Sequence, residues 1–147
     1  MARTIDILLV EDNPNDVELA LYAFRQNGIE ERVRITRDGE EALEFLQCRG
    51  HFASRQRSEG PAIVLLDLKL PKVDGFQVIQ TIRSDEHLRT LPVIALTTSN
   101  ELSDIHRCYA LGVNSYILKP VEFDRFSHAI RSIIQYWFTL NQLPVTR

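Results

Sequence analysis

The stretch AIVLLD, residues 62–67, decides the fold of this chain. Five consecutive apolar residues of largely strand-forming type lead directly into the carboxylate of Asp67. A strand without polar alternation is typical of a parallel sheet that helices cover on both faces. Asp67 therefore falls at the carboxyl end of a buried strand, the edge at which open α/β folds bind their ligands. A charged group at that position indicates a functional site.

Strand-like and helix-like segments alternate along the rest of the chain. In the first helix, Asn13 is the predicted N-cap and Pro14 the predicted first helical residue. Asp16 supplies an acidic residue in the first turn, and Gly28 is predicted to end the helix. The predicted strands are residues 5–10, 33–36, 62–67, 92–97 and 114–118, and the predicted helices begin near residues 13, 38, 74, 101 and 122. This alternation predicts right-handed crossovers in an α/β, flavodoxin-like (βα)5 fold, a doubly wound parallel sheet with strand order 2-1-3-4-5. The long connection 48–60 is interpreted either as an elaboration of the second helix or as a mobile loop without function.

Length and composition favour one globular domain that covers residues 1–147. The chain has 44% apolar and 25% charged residues, which is ordinary for such a domain. A formal net charge of -3 without a basic cluster argues against nucleic acid as a partner. No apolar run approaches the roughly 18 residues of a membrane span, and no secretory segment opens the chain, so we expect a cytoplasmic protein that does not contact membranes. Cys48 and Cys108 are expected to be reduced thiols.

Three carboxylates are expected to meet at the carboxyl edge of the sheet. Glu11 and Asp12 follow the first strand, and the strand order places them beside Asp67, which follows the third. Like charges in a partly desolvated cleft raise one another's pKa or recruit a cation. Mg2+ prefers carboxylate oxygens and retains several waters, so these residues predict a magnesium site.

Two more polar side chains reach the same edge. Thr97 ends the fourth strand, and Lys119 follows the fifth. Each has an ordinary explanation when taken alone: Thr97 as a strand-end threonine, Lys119 as a solvated lysine, and Asp12 as a helix cap. Four strand ends that all carry such groups instead predict a site that binds a phosphoryl group. Asp67 is the predicted nucleophile, with Mg2+ offsetting the charge that develops during transfer.

These motifs resemble the receiver domain of two-component response regulators. The resemblance covers about residues 5–138 and rests on Val10-Glu11-Asp12, Leu66-Asp67, Pro71, Asp74-Gly75, Thr97 and Tyr116-Ile117-Leu118-Lys119-Pro120. It implies that Asp67 is the phosphoacceptor, which a histidine kinase phosphorylates. It also implies that Glu11, Asp12, Asp67 and the backbone carbonyl of Lys69 bind Mg2+.

The resemblance also assigns roles at the two remaining strand ends. It implies that Thr97 and Lys119 contact the phosphoryl oxygens and that a cis peptide bond precedes Pro120. Tyr116 occupies the position of the family's aromatic switch. When the phosphoryl group draws Thr97 inward, the ring is expected to enter the vacated space and to remodel the face formed by helix four, strand five and helix five. A half-buried strand tyrosine is the alternative interpretation.

Two residues near the site predict a phosphorylated state that decays slowly. Thr98 stands where many receiver domains carry a smaller side chain, and it is expected to narrow the access of water to the phosphoryl group. Lys69 lies near the expected path of that water.

The last helix is predicted to overhang the domain. As a helix, residues 122–140 would span roughly 28 Å, against about 17–20 Å for a strand of the sheet. Its end carries Tyr136, Trp137, Phe138 and Leu140, which are expected either to form a homodimer or partner interface or to fold back onto the core. Because few residues follow this helix, no effector domain is expected, and output would depend on an interaction surface.

The sequence near both ends of the domain resembles a narrower group of proteins. Glu11–Asp16 and Tyr136–Asn141 are similar to segments of single-domain regulators that pair with cyanobacterial phytochrome kinases. That resemblance implies a light-regulated histidine kinase, a bacteriophytochrome, as the phosphoryl donor. It also implies a homodimer.

Two other functions are compatible with the predicted fold. A dehalogenase-like phosphatase also uses an aspartate nucleophile and Mg2+, but it needs a second acid at the position where this chain has Lys69. A flavodoxin-like flavin protein needs a phosphate-binding loop after the first strand, where Glu11 and Asp12 would repel a phosphate.

Overall fold

Buried apolar runs form the strands of a five-stranded parallel sheet. The computed structural model describes residues 5–144. Its strands are β1 (Ile7–Val10), β2 (Val33–Thr36), β3 (Ile63–Leu66), β4 (Val93–Thr97) and β5 (Ser115–Leu118). Their order is β2-β1-β3-β4-β5, and all neighbouring strands are parallel. The predicted flavodoxin-like topology is therefore confirmed.

A helix follows each strand, and α1 begins at Pro14 as predicted, while the other helices begin within one residue of their predicted starts. The helices are α1 (Pro14–Gln26), α2 (Gly39–Gln47), α3 (Gly75–Ser84), α4 (Leu102–Leu111) and α5 (Phe123–Gln135). The side chains of Asn13, Asp38 and Asp74 accept hydrogen bonds from first-turn N–H groups at 2.9, 2.7 and 3.0 Å, which explains where three of the helices begin. No helix within residues 5–144 is long and apolar enough to cross a membrane.

The last helix changes its hydrogen bonding before it ends. α5 passes directly into a π-helical segment, Tyr136–Leu140. There the Asn141 N–H donates to the Tyr136 carbonyl at 2.7 Å. The helical path thus reaches Leu140, its predicted end, but the final turn is wider than an α-helical one.

Helices on both faces of the sheet enclose two apolar layers. Successive strand residues point to opposite faces. Leu8 and Val10 therefore pack toward α2 and α3, whereas Ile7 and Leu9 pack toward α1 and α5. The first layer also contains Phe45, Val64, Leu66, Ile79 and Ile82, and the second contains Phe24, Ile63, Leu65, Phe126 and Ile130. Burial on both faces explains why these strands lack polar alternation.

Strand pairing brings the polar strand ends to one edge. The N–H of Asp67 donates to the Val10 carbonyl at 3.1 Å, so Asp67 lies beside the residues that follow β1. Farther along the edge, the N–H of Lys119 donates to the Thr97 carbonyl at 2.7 Å. The backbone alone therefore places the predicted site residues side by side.

Residues 48–60 are a packed elaboration of the end of α2. Two short 3-10 turns shape the segment. The Phe52 ring meets the Phe45 ring edge-on, with 5.2 Å between centroids, and the Arg55 guanidinium lies 4.0 Å from the Phe45 centroid. These contacts support the first of the two predicted alternatives and not the mobile loop.

The Arg83 guanidinium ties α3 to the connections that precede β4 and β5. It donates to the carbonyls of Leu91, Gly112 and Arg89 at 2.7, 2.8 and 3.1 Å, and to the Asn114 side-chain oxygen at 2.8 Å. Burial lowers the pKa of Arg83. The group still carries its charge, because arginine does not deprotonate in proteins.

The two cysteines are free thiols, as the sequence predicts. Cys108 of α4 is fully buried, and this burial, with a smaller contribution from the Asp104 carboxylate, raises its pKa to about 11. Cys48 follows α2 in the left-handed conformation, with φ of 55°, and is partly exposed.

Candidate functional site

Three carboxylates meet at the carboxyl edge of the sheet. Oxygen atoms of Glu11, Asp12 and Asp67 all lie within 4.8 Å of one another. Glu11 is buried, the Asp67 side chain is 13% exposed, and Asp12 faces solvent. The cluster predicted from strand order therefore exists, and it opens to solvent on the side of Asp12.

A buried ammonium group balances part of this negative charge. Lys119 Nζ lies 2.6 Å from Glu11 Oε1, 2.9 Å from Asp16 Oδ2 and 3.8 Å from Asp67 Oδ2. Burial by itself lowers the pKa of Lys119. Its hydrogen bonds to Glu11 and Asp16 and the attraction of Asp67 outweigh that effect, so the pKa is raised. Lys119 therefore remains a fixed positive charge within the site.

Glu11 is held by donors on both of its oxygens. Oε1 accepts from Lys119, and Oε2 accepts the Asn13 N–H at 3.2 Å. Burial raises the pKa of Glu11, the hydrogen bond with Lys119 opposes that effect, and the charge of Asp67 reinforces it, so the net shift is upward. The ionised form of Glu11 consequently depends on a cation beside it.

The donor atoms of the cluster fit a hard divalent cation. All three side chains offer carboxylate oxygens, which are the ligands that Mg2+ prefers. Within residues 5–144, no hydrogen-bond donor contacts the Asp12 carboxylate, and Lys119 approaches Asp67 only to 3.8 Å. Asp12 and Asp67 therefore have lone pairs free for a metal ion. Lys69 lies two residues after Asp67 with an exposed side chain, and the part of its carbonyl in metal binding stays a prediction.

A tight loop positions Asp67 against the start of α3. The Gly75 N–H donates to the Leu68 carbonyl at 2.9 Å. A Cβ atom at Gly75 would lie 2.6 Å from Leu68 Cα and 2.7 Å from the Asp67 carbonyl oxygen. At these distances any side chain at position 75 would overlap the backbone of the loop. This explains why a glycine follows the helix cap Asp74.

Thr97 and Tyr116 are joined through Ser99 in the β4–α4 connection. Thr97 is fully buried, and its Oγ1 accepts the Ser99 N–H at 3.3 Å. The Tyr116 hydroxyl donates to the Ser99 carbonyl at 2.8 Å, and burial raises the pKa of Tyr116. The Ser99 hydroxyl donates to the Asp104 carboxylate in the first turn of α4 at 2.6 Å. One loop residue, which sequence reasoning missed, thus connects the strand end, the predicted switch and α4.

The expectation of a cis peptide bond before Pro120 is wrong. The Lys119–Pro120 bond is trans, as are all peptide bonds within residues 5–144. For a bond to proline, the trans form is favoured by about 0.5–1 kcal/mol. Here the Lys119 N–H reaches Thr97 and its ammonium reaches Glu11 with the trans bond in place.

The predicted interface residues separate into two pairs. Trp137 and Phe138 pack against the apolar layer between the sheet and α5, as the fold-back alternative expects. Tyr136 and Leu140 are 50% and 73% exposed and remain available to a partner. Tyr136 and Trp137 also line, with Ile117 of the edge strand β5, an open groove of about 730 Å³.

Asp16 belongs to the site, although sequence reasoning places it only in the first turn of α1. Its carboxylate lies 2.9 Å from Lys119 Nζ. The position of Asp16 in the sequence could have indicated this role. The first turn of a helix that begins at the carboxyl edge of the sheet lies at that same edge.

Comparison with known proteins identifies the family. Residues 7–131 match the family model described as the response regulator receiver domain. The chain belongs to the response regulator receiver domain family. Receiver domains are phosphoacceptor signalling domains that partner with histidine kinases and bind a divalent metal ion. Membership sets aside the phosphatase and the flavin protein as alternatives.

Several individual receiver domains are similar to this one. The probable methanogenesis regulatory protein FilR2 of Methanothrix harundinacea is 42% identical over 138 residues, which cover 94% of this chain and 86% of that protein. Response regulator Rcp1 of Synechocystis is 36% identical over 138 residues, covering 94% of this chain and 92% of that protein. A crystal structure of Rcp1 in its Mn2+-bound form has a TM-score of 0.85 at 35% identity, covering 95% of this chain and 99% of that chain. The phosphorylated cyanobacterial phytochrome response regulator RcpA has a TM-score of 0.88 at 37% identity, covering 97% of this chain and 99% of that chain.

Proposed function

We propose that this receiver domain accepts a phosphoryl group from a histidine kinase on Asp67, with Mg2+ as cofactor, and that the modification switches an interaction surface. The proposal rests on the groups around Asp67: two carboxylates with oxygens within 4.8 Å and an ammonium at 3.8 Å. Such a set holds both a metal ion and the oxygens of a phosphoryl group.

Asp67 is the proposed nucleophile. One of its oxygens attacks the phosphorus of a phosphohistidine, the P–N bond breaks, and the imidazole leaves with the electron pair and takes up a proton. An aspartyl phosphate remains. When bound, Mg2+ supplies positive charge that offsets the negative charge on the phosphoryl oxygens. Lys119 supplies a second positive charge, and Thr97 is the proposed hydroxyl donor to the same oxygens.

The signal is proposed to pass from Thr97 through Ser99 to Tyr116. Both Thr97 and Tyr116 bind the backbone of Ser99, so a movement of Thr97 toward the phosphoryl group also displaces the contact of Tyr116. Moving a two-state equilibrium from mostly inactive to mostly active requires about 5.5 kcal/mol. New hydrogen bonds from Lys119 and Thr97 to a charged group, at about 1.5–3 kcal/mol each, supply most of that amount.

The first experiment measures whether an aspartyl phosphate forms on the protein. Incubation with acetyl phosphate and Mg2+ should add one phosphoryl group to the protein, detected by intact-mass spectrometry. The Asp67→Asn variant should remain unmodified, whereas Asp124→Asn, an exposed aspartate of α5, should react like the wild type. Labelling that persists in Asp67→Asn, or labelling that does not require Mg2+, would contradict the proposal.

The proposed donor is a phytochrome-type, light-regulated histidine kinase in the cytoplasm. The similarity to the cyanobacterial phytochrome response regulator RcpA supports this pairing. On the protein itself, the Tyr22 ring of α1 lies 5.0 Å from the Phe123 ring between centroids, and Tyr22, Leu19 and Val121 each expose an apolar side chain. Such exposed side chains suit a helical kinase partner.

Phosphotransfer profiling against a panel of histidine kinases tests the donor. Transfer from a phytochrome kinase should be the fastest. Because FilR2 is named a methanogenesis regulator, the panel should also contain kinases without a phytochrome sensor. Faster transfer from one of those would overturn the phytochrome pairing and leave Asp67 as the acceptor.

A homodimer that uses the end of the last helix is also proposed. Tyr136 and Leu140 expose large apolar side chains, and Tyr136 also lines the groove along β5. The double variant Tyr136→Ser/Leu140→Ser should sediment as a monomer, whereas Leu102→Ser, an exposed leucine of α4, should keep the wild-type mass. An unchanged mass in the double variant would place any dimer contact elsewhere.

The slow decay of the phosphorylated state remains a prediction about Thr98. Its side chain is exposed next to the buried Thr97. Thr98→Ala should widen the access of water and shorten the half-life of the aspartyl phosphate. An unchanged decay rate would show that Thr98 does not protect it.

A further inference from the structure

Asp16 and Asp67 both lie near the Lys119 ammonium. An ammonium group has three N–H donors. Glu11 and Asp16 accept from it at 2.6 and 2.9 Å, whereas Asp67 Oδ2 lies at 3.8 Å, beyond hydrogen-bond distance. In this state the lysine is therefore bonded to Asp16 and not to the phosphoacceptor.

The Asp16 carboxylate does not take part in the capping of α1. An acid or amide at the third position of a helix commonly accepts the N–H of the cap residue, as Gln77 does in α3 at 3.0 Å. In α1 the corresponding N–H, that of Asn13, donates to Glu11 instead. The Asp16 carboxylate is left to bind Lys119, which is 103 residues away in sequence.

Asp16 also adds to the negative charge that a phosphoryl donor must approach. Glu11, Asp12, Asp16 and Asp67 carry four negative charges against the one positive charge of Lys119, a formal excess of three. A bound Mg2+ would reduce this excess to one, and loss of the Asp16 charge would then leave the cluster neutral. Because phosphoryl donors are themselves anionic, the Asp16 charge opposes their approach.

We propose that Asp16 is an electrostatic brake on phosphorylation of Asp67. It holds the Lys119 ammonium away from the acceptor, and it must share that ammonium with the phosphoryl oxygens once they arrive. Asp16 acts through Lys119 and through its charge, so it is a positioning residue and not a catalytic one. This inference rests on the proposed function.

The Asp16→Asn variant tests the brake, because it removes the negative charge while keeping one acceptor oxygen in a side chain of the same shape. At saturating Mg2+, its initial rate of labelling by acetyl phosphate should rise about 5- to 10-fold, which corresponds to about 1–1.4 kcal/mol. The Mg2+ concentration for half-maximal labelling should rise at the same time, because one negative charge near the metal ligands is lost. A folding defect would not increase the rate. The rate advantage should also shrink at high ionic strength.

Glu18→Gln is the matched control, since it removes one exposed negative charge from the same helix. Its labelling rate and Mg2+ requirement should equal those of the wild type. If Asp16→Asn melts at a lower temperature than the wild type, the measurement is repeated with Asp16→Ser, which removes the same charge. A wild-type protein that is not labelled at all would refute the proposed function. Labelling of the wild type with no acceleration in either Asp16 variant would overturn the brake alone.

Discussion

Replacement of Lys119 by methionine should destabilise the protein by about 2–4 kcal/mol. Removing one partner of a buried ion pair costs about 3–5 kcal/mol, because the other charge is left uncompensated. The side chains of Lys119 and Glu11 are 7% and 4% exposed, but that of Asp16 is 29% exposed, so water offsets part of the loss. For a domain of this size, each kcal/mol lowers Tm by about 2–4 °C, so Tm should fall by about 5–15 °C.

Mg2+ and mild acid should each restore part of this stability. Mg2+ supplies positive charge to the same carboxylates, so its stabilising effect should be larger in Lys119→Met than in the wild type. Burial raises the pKa of Glu11, and the variant lacks the Lys119 hydrogen bond that opposes this shift. A carboxyl group with a raised folded-state pKa favours the fold increasingly as pH drops through that value. The difference in Tm between variant and wild type should therefore narrow as pH falls from neutral toward the ordinary pKa of a glutamate.

Calorimetry with and without Mg2+ tests this reasoning, with Lys72→Met as the matched control. Lys72 Nζ also lies near two carboxylates, 3.8 Å from Asp38 and 3.7 Å from Glu40, but its side chain is 62% exposed. Exposed pairs contribute about 0–1 kcal/mol, so this variant should melt close to the wild type. If Lys119→Met melts no lower than Lys72→Met, or if Mg2+ stabilises it no more than the wild type, the buried-charge argument is refuted.

Three further predictions follow from contacts outside the carboxylate cluster. Arg83→Met leaves four acceptors without their donor, and each lost hydrogen bond costs about 0.5–1.5 kcal/mol. Urea unfolding should therefore show a free energy of unfolding that is lower by about 2–4 kcal/mol. A decrease below about 1 kcal/mol would mean that water replaces the guanidinium. Tyr116→Phe loses the hydrogen bond to the Ser99 carbonyl, so hydrogen exchange in the β4–α4 connection should accelerate while acetyl phosphate still labels the protein; unchanged exchange would show that the bond does not hold the loop. In the native protein, thiol reagents at neutral pH should modify Cys48 and spare Cys108, whose pKa is about 11. Equal reactivity of the two cysteines would contradict the burial of Cys108. The free energy of unfolding should fall as pH rises from about 9 toward about 11, because the Cys108 thiol ionises at a lower pH in the unfolded chain than in the folded protein.

Most of the fold was predictable because its signals are local. The run 62–67 has no polar alternation, and the caps Asn13, Asp38 and Asp74 stand where three helices begin. Strand order then follows from general rules for alternating strands and helices. The positions of Asp67 and Lys119 at one edge follow from that order.

Side-chain partners were less predictable, because they depend on contacts between distant segments. Asp16 carries the same sequence signal whether it faces solvent or Lys119, and only the packing of α1 beside the loop after β5 brings the two together at 2.9 Å. Ser99 carries no signal of its own either, since its role comes from Thr97 and Tyr116 on two different strands.

The sequence by itself determined the topology, the acidic edge and which aspartate is proposed to react, because periodicity, caps and strand ends are properties of short segments. The tertiary structure decided which carboxylates bind Lys119, how the predicted switch residue Tyr116 connects to Ser99, and which apolar residues of the last helix remain exposed. Those outcomes depend on distances between side chains that lie far apart in the chain. Burial sets the strength of these charged contacts, and burial is a property of the folded molecule.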